Sequence, residues 1–544
     1  MADAFLISSP VNRDDQFSGR WLITSATIGV ILVGIWYFVS RMVKGLKSRG
    51  ATAASSLPPG PRGLPIVGYI PFLMYNGKNI PLHRQFTHLA AQYGPIFKIR
   101  VGSQLHVVVS SPSLAKQVLR DKESAFSSRN LPLAIRIWTY GGLDLSCLPM
   151  SQDWNSMRKV VLREVLSNPS LDRCYELRRR EVVKALRELV RSGARKPVGV
   201  LELANKMVAD ATMAMTWGGR DHGDVDNEEA RRLCEEAMAL MEKPNVSDVF
   251  PVLARFDLQG IGRRAAEVAG RFDRIITSVI QKRFDGKGSL IMERKEDGRE
   301  VKDLLQVLLE NRERSSDAGS PLASITQFKA LLLDITPGGM GMVATVIEWA
   351  MTELLRCDKA MTNVKRELDD VVGLENLVED HHLKELKYLD AVVKETFRLH
   401  LTVIQREAVQ PCSSGGYAIP KKAKVMVNAW AIHIDPRLWE EPTEFRPERF
   451  LDSSRRPLDF VGSNSDFVYI PFGSGRRMCV GVNLATRLLK YVLASLLHSF
   501  DWKLPAGEGG STVDVSDEFT LIIKKKKPLT IVPTPRLSFP DLHA

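Results

Sequence analysis

Residues 21–39 run Trp-Leu-Ile-Thr-Ser-Ala-Thr-Ile-Gly-Val-Ile-Leu-Val-Gly-Ile-Trp-Tyr-Phe-Val without one charged side chain. As a helix these 19 residues span about 28 Å, against a bilayer core of ~30 Å. Arg41, Lys44, Lys47 and Arg49 follow, whereas Asp3, Asp14 and Asp15 outnumber Arg13 and Arg20 before it. The pattern predicts a transmembrane anchor over 21–39, a short luminal segment over 1–20 and the rest of the chain in the cytosol. No small-residue cleavage site follows cleanly, which argues against a removed signal peptide. Residues 40–68 are basic and then proline-rich: Pro58, Pro59, Pro61 and Pro65 stiffen the chain and exclude helix, so this stretch reads as a hinge.

Beyond the hinge, residues 69–544 read as one catalytic domain. Short strand-like runs at 96–101 and 106–110 give way to long helical patterns, with no repeat of 20–50 residues. The charged, glycine-bearing stretch 285–320 reads as containing a loop between helices. The fold class expected is mainly α with small β-sheets.

Composition narrows the function. The formal charge is +12 and 44% of residues are hydrophobic. The basic excess is spread along the chain, without a recognition motif for nucleic acid, and suits a membrane surface or an acidic protein partner. Lys524, Lys525, Lys526 and Lys527 form its densest cluster and read as a solvated strand end or turn rather than a docking patch. Six scattered cysteines, without Cys-x-x-Cys, fit a reducing compartment and neither a disulfide framework nor a structural zinc site. Asn245-Val246-Ser247 matches a glycosylation acceptor that would stay unused in the cytosol. Phosphate loops, His-Glu-x-x-His, Gly-x-Ser-x-Gly and flavin or nicotinamide fingerprints are all missing, so reducing equivalents would come from a separate protein.

The densest chemistry lies at residues 472–481, Phe-Gly-Ser-Gly-Arg-Arg-Met-Cys-Val-Gly. On its own, Cys479 reads as a buried structural thiol in a glycine-rich turn. Phe472, Gly475, Arg477, Cys479 and Gly481 together resemble the haem-ligand loop of the cytochrome P-450 family, Phe-x-x-Gly-x-Arg-x-Cys-x-Gly. That resemblance makes Cys479 the axial ligand of haem iron, whose thiolate favours O–O cleavage. It gives Gly475 and Gly481 the conformational freedom of a tight turn and Arg477 a haem propionate. Glu395 and Arg398 are three apart on a helical pattern and can pair; with Arg449 of the Pro-Glu-Arg-Phe run they match the family's buried bracing network. Trp154 and Arg158, four apart on one helical face, match the family's Trp-x-x-x-Arg helix and would hold a propionate. Segments 166–171, 250–257 and 498–505 resemble plant microsomal members, especially sesquiterpene and flavonoid hydroxylases. The resemblance implies haem b, electrons from NADPH through a flavoprotein reductase, a small hydrophobic substrate and the endoplasmic reticulum membrane, with no nucleic acid partner.

The chain also departs from that family. With Ile347-Glu348-Trp349-Ala350 as anchor, a distal helix runs over 327–356. The usual Ala/Gly-Gly-x-Asp-Thr then falls on Gly338-Gly339-Met340-Gly341-Met342. Gly341 replaces the acid and Met342 the alcohol that help to deliver protons in the family. Thr345, one turn on, would serve only through water or a shifted helix; Thr336 offers another hydroxyl. Pro337 and the glycines predict a kink or bulge. After Arg398, residues 401–407 lack proline and the loop looks about three residues short, so that Gln405 and Arg406 are either new polar contacts or surface residues. Candidate pocket walls are 131–138, 401–404 and 519–522. Three activities follow: a monooxygenase of a plant terpenoid or phenolic, with oxidative phenol coupling as a variant; an oxygen-independent dehydratase or isomerase, for example of aldoximes; and a haem-binding partner without catalysis.

Overall fold

The computed structural model describes residues 56–74, 80–129, 131–191, 196–218, 227–285, 301–314, 324–400, 403–452, 458–461, 466–505, 513–520 and 522–537. The expected anchor over 21–39, the segment 1–20 and the first part of the hinge lie outside them. The helices framing the site are α1 Leu133–Trp138, α2 Gln152–Val160, α3 Val200–Trp217, α4 Asn227–Glu242, α5 Ile261–Phe284, α6 Ile325–Arg356, α7 Lys387–Leu399 and α8 Val482–Ser499. Four strands, β1 Ile96–Val101, β2 Gln104–Val109, β3 Ile404–Glu407 and β4 Lys424–Val427, form a sheet in the order β1-β2-β4-β3. Only β2 and β4 pair in parallel, with His106 opposite Lys424. A separate hairpin joins β5 Asp517–Phe519 to β6 Ile523–Lys525. The expected mainly helical fold with small sheets is observed.

The proline-rich run is docked along β1. Lys98 donates its N–H to Pro59 O at 2.8 Å, and a Cβ on Gly60 would sit 2.0 Å from Lys98 O, so only glycine fits.

Helix α6 organises the core. The Ser324 hydroxyl caps its first turn by accepting from Gln327 N–H. Apolar on nearly every side, it is long enough to cross a bilayer by length and composition, yet it is mostly buried against α3, α4, α7 and α8. The bulge expected at Pro337 is not there: the helical run is unbroken from Ile325 to Arg356. Burial of Leu331, Leu332, Ile335, Met340 and Val343 offsets the proline and glycine cost. The short π-helical turns lie instead at Gln117–Asp121 and Val161–Val165.

The lysine run is only partly a solvated strand end. Lys527 is exposed, but Lys524 pairs with Glu242 at 2.6 Å, and Lys525 is buried 5.0 Å from the Trp349 ring centroid. Asn245 is buried and caps Ser247 N–H, which removes it as an acceptor.

Candidate active site

The cysteine loop closes on itself through Cys479 N–H to Phe472 O (3.1 Å) and Met478 N–H to Gly475 O (3.0 Å). Gly473 and Gly475 both have φ of 73°. A Cβ on Gly475 would lie 2.1 Å from Leu119 O and 2.6 Å from Glu123 Oε2. Gly481 differs from the expectation: its φ is −85°, and a Cβ there would meet Cys479 Sγ at an ordinary 3.8 Å. Its contribution is its N–H, which donates to the Cys479 sulfur at the start of α8. Cys479 is half-buried. Burial pushes its thiol up, while the Gly481 N–H, Arg129 and Arg158 pull it back. Such a buried sulfur becomes a stable thiolate when it binds a metal cation.

Four arginines converge beside this loop. Arg477 donates Nε to Ser127 O (3.0 Å) and its terminal nitrogens to Leu145 O (3.2 Å) and Leu148 O. Arg158 reaches Met478 O at 3.0 Å. The Trp154 ring lies between them, 4.6 Å from the Arg477 guanidinium and 5.5 Å from that of Arg158. Its indole N–H is committed to Leu145 O at 3.0 Å, so Trp154 aligns the arginines rather than offering the free donor expected of it. Arg406 is 5% exposed, and the hydrogen bond it makes is to Gln405 O. Burial, then Arg129 and Arg477, push its guanidinium down to about 9; burial and Arg129 push Arg477 down to about 10. Buried cations that depress one another call for an anion, and two carboxylates of a haem edge have that charge.

Of the two alternatives for Gln405 and Arg406, the structure takes both: Gln405 is exposed and Arg406 faces inward on alternating β3. In the sequence Arg406 was left open between a polar contact and a surface residue, and Arg129 did not stand out. Strand alternation puts Gln405 and Arg406 on opposite faces, but only the packing of β3 shows which of them points inward.

Opposite in character is one face of α6. Met342 is 44% exposed and Gly338 is exposed too on a mostly buried helix, and a Cβ on Gly338 or Gly341 would touch nothing within 4 Å. Asp334, Gly338 and Met342 share this face at i, i+4, i+8, and an ionised Asp334 would push the Cys479 thiol further up. This face of α6 is therefore open from Gly338 to Met342. Thr345 is buried and donates to Gly341 O at 2.9 Å; Thr336 is buried and donates to Leu332 O, which takes it out of the site. The wall residues divide likewise. Val403 is buried in the sheet cluster with Phe97 and Met426, residues 401, 402 and 521 lie outside the described set, and Trp138 packs on Phe272 of α5 at 5.0 Å.

Behind the loop, Glu395 binds Arg398 (2.7 and 2.9 Å), Arg449 Nε (2.9 Å) and Arg446 N–H (2.8 Å). Arg398 also donates to the carbonyls of His433, Pro442 and Glu444. Every charge in this buried cluster has partners.

The Cytochrome P450 family profile matches residues 58–531. The chain belongs to the cytochrome P450 family. This cytochrome P450 is 33% identical over 534 residues to a flavonoid 3'-monooxygenase of Oryza sativa subsp. japonica, covering 96% of this chain and 97% of the relative. It is 34% identical to a flavonoid 3'-monooxygenase of Petunia hybrida (88% and 92% covered) and to a carnosic acid synthase of Rosmarinus officinalis (93% and 98%). A zebrafish cytochrome P450 structure with progesterone shares the fold at a TM-score of 0.69 and 23% identity, covering 84% of this chain and all of that one. The protein is an oxidoreductase of the monooxygenase family.

Proposed function

We propose that this cytochrome P450 oxidises a small hydrophobic plant specialised metabolite, terpenoid or phenolic, with electrons passed from NADPH by a flavoprotein reductase. One observation carries the reading: a half-buried Cys479 beside four arginines that depress one another, and an α6 face open from Gly338 to Met342. Haem b fits that donor set, with Cys479 as its ligand and Arg129, Arg158, Arg406 and Arg477 on its propionates. Bound there, haem supplies the redox and oxygen chemistry that side chains lack. Arg158 and Arg477 would orient it, Gly475 keeps the loop tight, and Met342 contributes an apolar wall for substrate. Relatives named flavonoid 3'-monooxygenase and carnosic acid synthase support both substrate classes.

Residues 21–39 are the proposed anchor in the endoplasmic reticulum membrane, with 1–20 luminal, 40–68 the hinge and 69–544 cytosolic. Exposed Ile66, Phe72 and Met74 support this, together with Val252, Phe256 and Leu258 on the segment following Val249, which packs against Gly102. Apolar side chains gathered at one end suit a lipid surface.

Reduced protein under carbon monoxide should show the thiolate-ligated Soret band, and Cys479→Ala should abolish it; a band retained by the variant defeats the ligand assignment. Metabolites that shift the iron spectrum are then turned over with NADPH, reductase and oxygen. The glycine and methionine at 341 and 342 favour a second reading, an oxygen-independent dehydratase or isomerase. Product formed anaerobically without reductant selects that one.

A further inference from the structure

Inserting one oxygen atom of O2 into a C–H bond consumes two electrons and two protons: RH + O2 + 2e− + 2H+ gives ROH + H2O. The reductase supplies the electrons. Where the family's acid and alcohol would stand, α6 supplies no proton, because Gly341 has no side chain and Met342 has no donor; Asp334, two turns back, is half-buried against Asp144.

On the adjoining face of the same helix lies a cavity of about 150 Å³ between α3, α4, α6 and the β5–β6 hairpin. Gly341 and Thr345 form its inner wall, with Asn205 of α3, Glu242 of α4 and Ile522 around them. Glu242 is bound through Oε2 to Lys524 at 2.6 Å, while its Oε1 is buried without a hydrogen-bond partner. A buried carboxylate oxygen in that condition is costly unless water satisfies it. The space is large enough for several waters, and Glu242, Asn205, Lys524 and Thr345 would offer them the polar partners that an apolar void lacks. The outer rim includes the Arg231–Glu235 ion pair, whose glutamate is 46% exposed, so this end lies against solvent. The inner end is where the family's acid would stand, and a Cβ on Gly341 would meet nothing within 4 Å.

We propose that this cavity is a buried water site anchored by Glu242, and that its waters carry protons from solvent past Gly341 to the reaction pocket in place of the missing acid. Each proton taken up at the Arg231–Glu235 rim is matched by one released beside Gly341, so no charge accumulates inside. Thr345 keeps its hydroxyl on Gly341 O and lines the path. The proposal rests on the monooxygenase reading and assigns the side chain that makes it workable; Glu242 is a positioning residue, acting through the waters it holds.

Two measurements decide it. A crystal structure of the haem-loaded full chain should show ordered waters from Glu242 Oε1 to Gly341 and Thr345; a dry cavity overturns the proposal. With reductase, NADPH, oxygen and a turned-over substrate, Glu242→Leu with Lys524→Met, which removes both charges together, should lower product formed per NADPH several-fold. It should raise peroxide and enlarge the solvent isotope effect, with the carbon monoxide band and substrate-induced spectral shift kept. Adding Gly341→Asp to that variant should restore coupling. Unchanged coupling in the double variant overturns the proposal alone. Absence of product from the unmodified chain under these conditions overturns the monooxygenase reading and this site with it. If the double variant fails to fold, Gly341→Val, which narrows the cavity from its inner wall, takes its place: coupling equal to that of the unmodified chain then overturns the proposal.

Discussion

Arg398 donates to both carboxylate oxygens of Glu395, at 2.7 and 2.9 Å, and neither side chain is exposed at all. The pair stands between the end of α7 and the carbonyls of His433, Pro442 and Glu444, while Arg449 closes it from the other side. Removing one partner leaves an uncompensated buried charge. Glu395→Ala should therefore cost about 3–5 kcal/mol, read as a large fall in unfolding midpoint together with loss of the Soret band. A midpoint within a degree or two of the parent would show that the cluster does not brace the core.

The two loop glycines should respond differently to alanine. Gly475→Ala places a methyl group on backbone at Leu119 O and in left-handed φ, so the loop has to open and haem binding should be lost. Gly481→Ala meets an ordinary φ and an ordinary contact with Sγ, and keeps its N–H. The carbon monoxide difference spectrum of purified variants separates them. Equal loss in both would show that Gly481 is also held there by close approach.

Arg406 gives a prediction of opposite signs in the apo and haem-loaded protein. In the apo chain it is a buried cation facing Arg129 and Arg477, so Arg406→Met should raise the apo melting temperature. With haem bound, the same change removes a charge-assisted hydrogen bond of about 1.5–3 kcal/mol. Haem transfer to apomyoglobin should then accelerate by roughly tenfold to a hundredfold. A variant less stable in both states would mean that Arg406 is a packing residue.

These cases show what could be read along the chain and what could not. Cys479, Arg477, Glu395, Arg398 and Arg449 were legible because fixed spacing along the chain constrains them. Strand β1 was legible as a short strand-like run, and the run of α6 through the resemblance anchored at Ile347-Glu348-Trp349-Ala350. Arg406 was not, since nothing local says which face of a four-residue strand points inward. Nor was the indole of Trp154, whose partner, Leu145 O, belongs to an irregular segment. The pairing of Lys524 with Glu242 joins residues 282 apart in the chain, and only the packing of α4 against the β5–β6 hairpin brings it about.

The last prediction concerns pH. Asp334 on α6 accepts from Leu145 N–H at 2.6 Å and lies beside Asp144, which is 1% exposed, takes the Ser146 hydroxyl on Oδ2 and has no partner for Oδ1. Burial, then the neighbouring Asp144, push the Asp334 carboxyl well above the usual carboxylate range. A proton on Asp334 removes the repulsion between its carboxyl and the Asp144 side chain. The folded chain thus keeps a proton that the unfolded chain releases near pH 4. The resulting stabilisation is complete below about pH 4 and is lost as pH rises toward the folded-state value, by up to about 1.4 kcal/mol per pH unit. Arg477 and the Cys479 thiol, which sense these acids, respond to the same proton. Asp334→Asn replaces the protonated Asp334 carboxyl by a neutral amide that does not titrate. Chemical denaturation of the apoprotein from pH 4 to 8 should show a falling midpoint in the parent and a flatter one in Asp334→Asn, with the variant the more stable of the two at pH 8. Parallel curves would mean that both carboxylates are ionised in the folded protein and that the segment from Asp144 to Leu148 is held to α6 by its backbone alone.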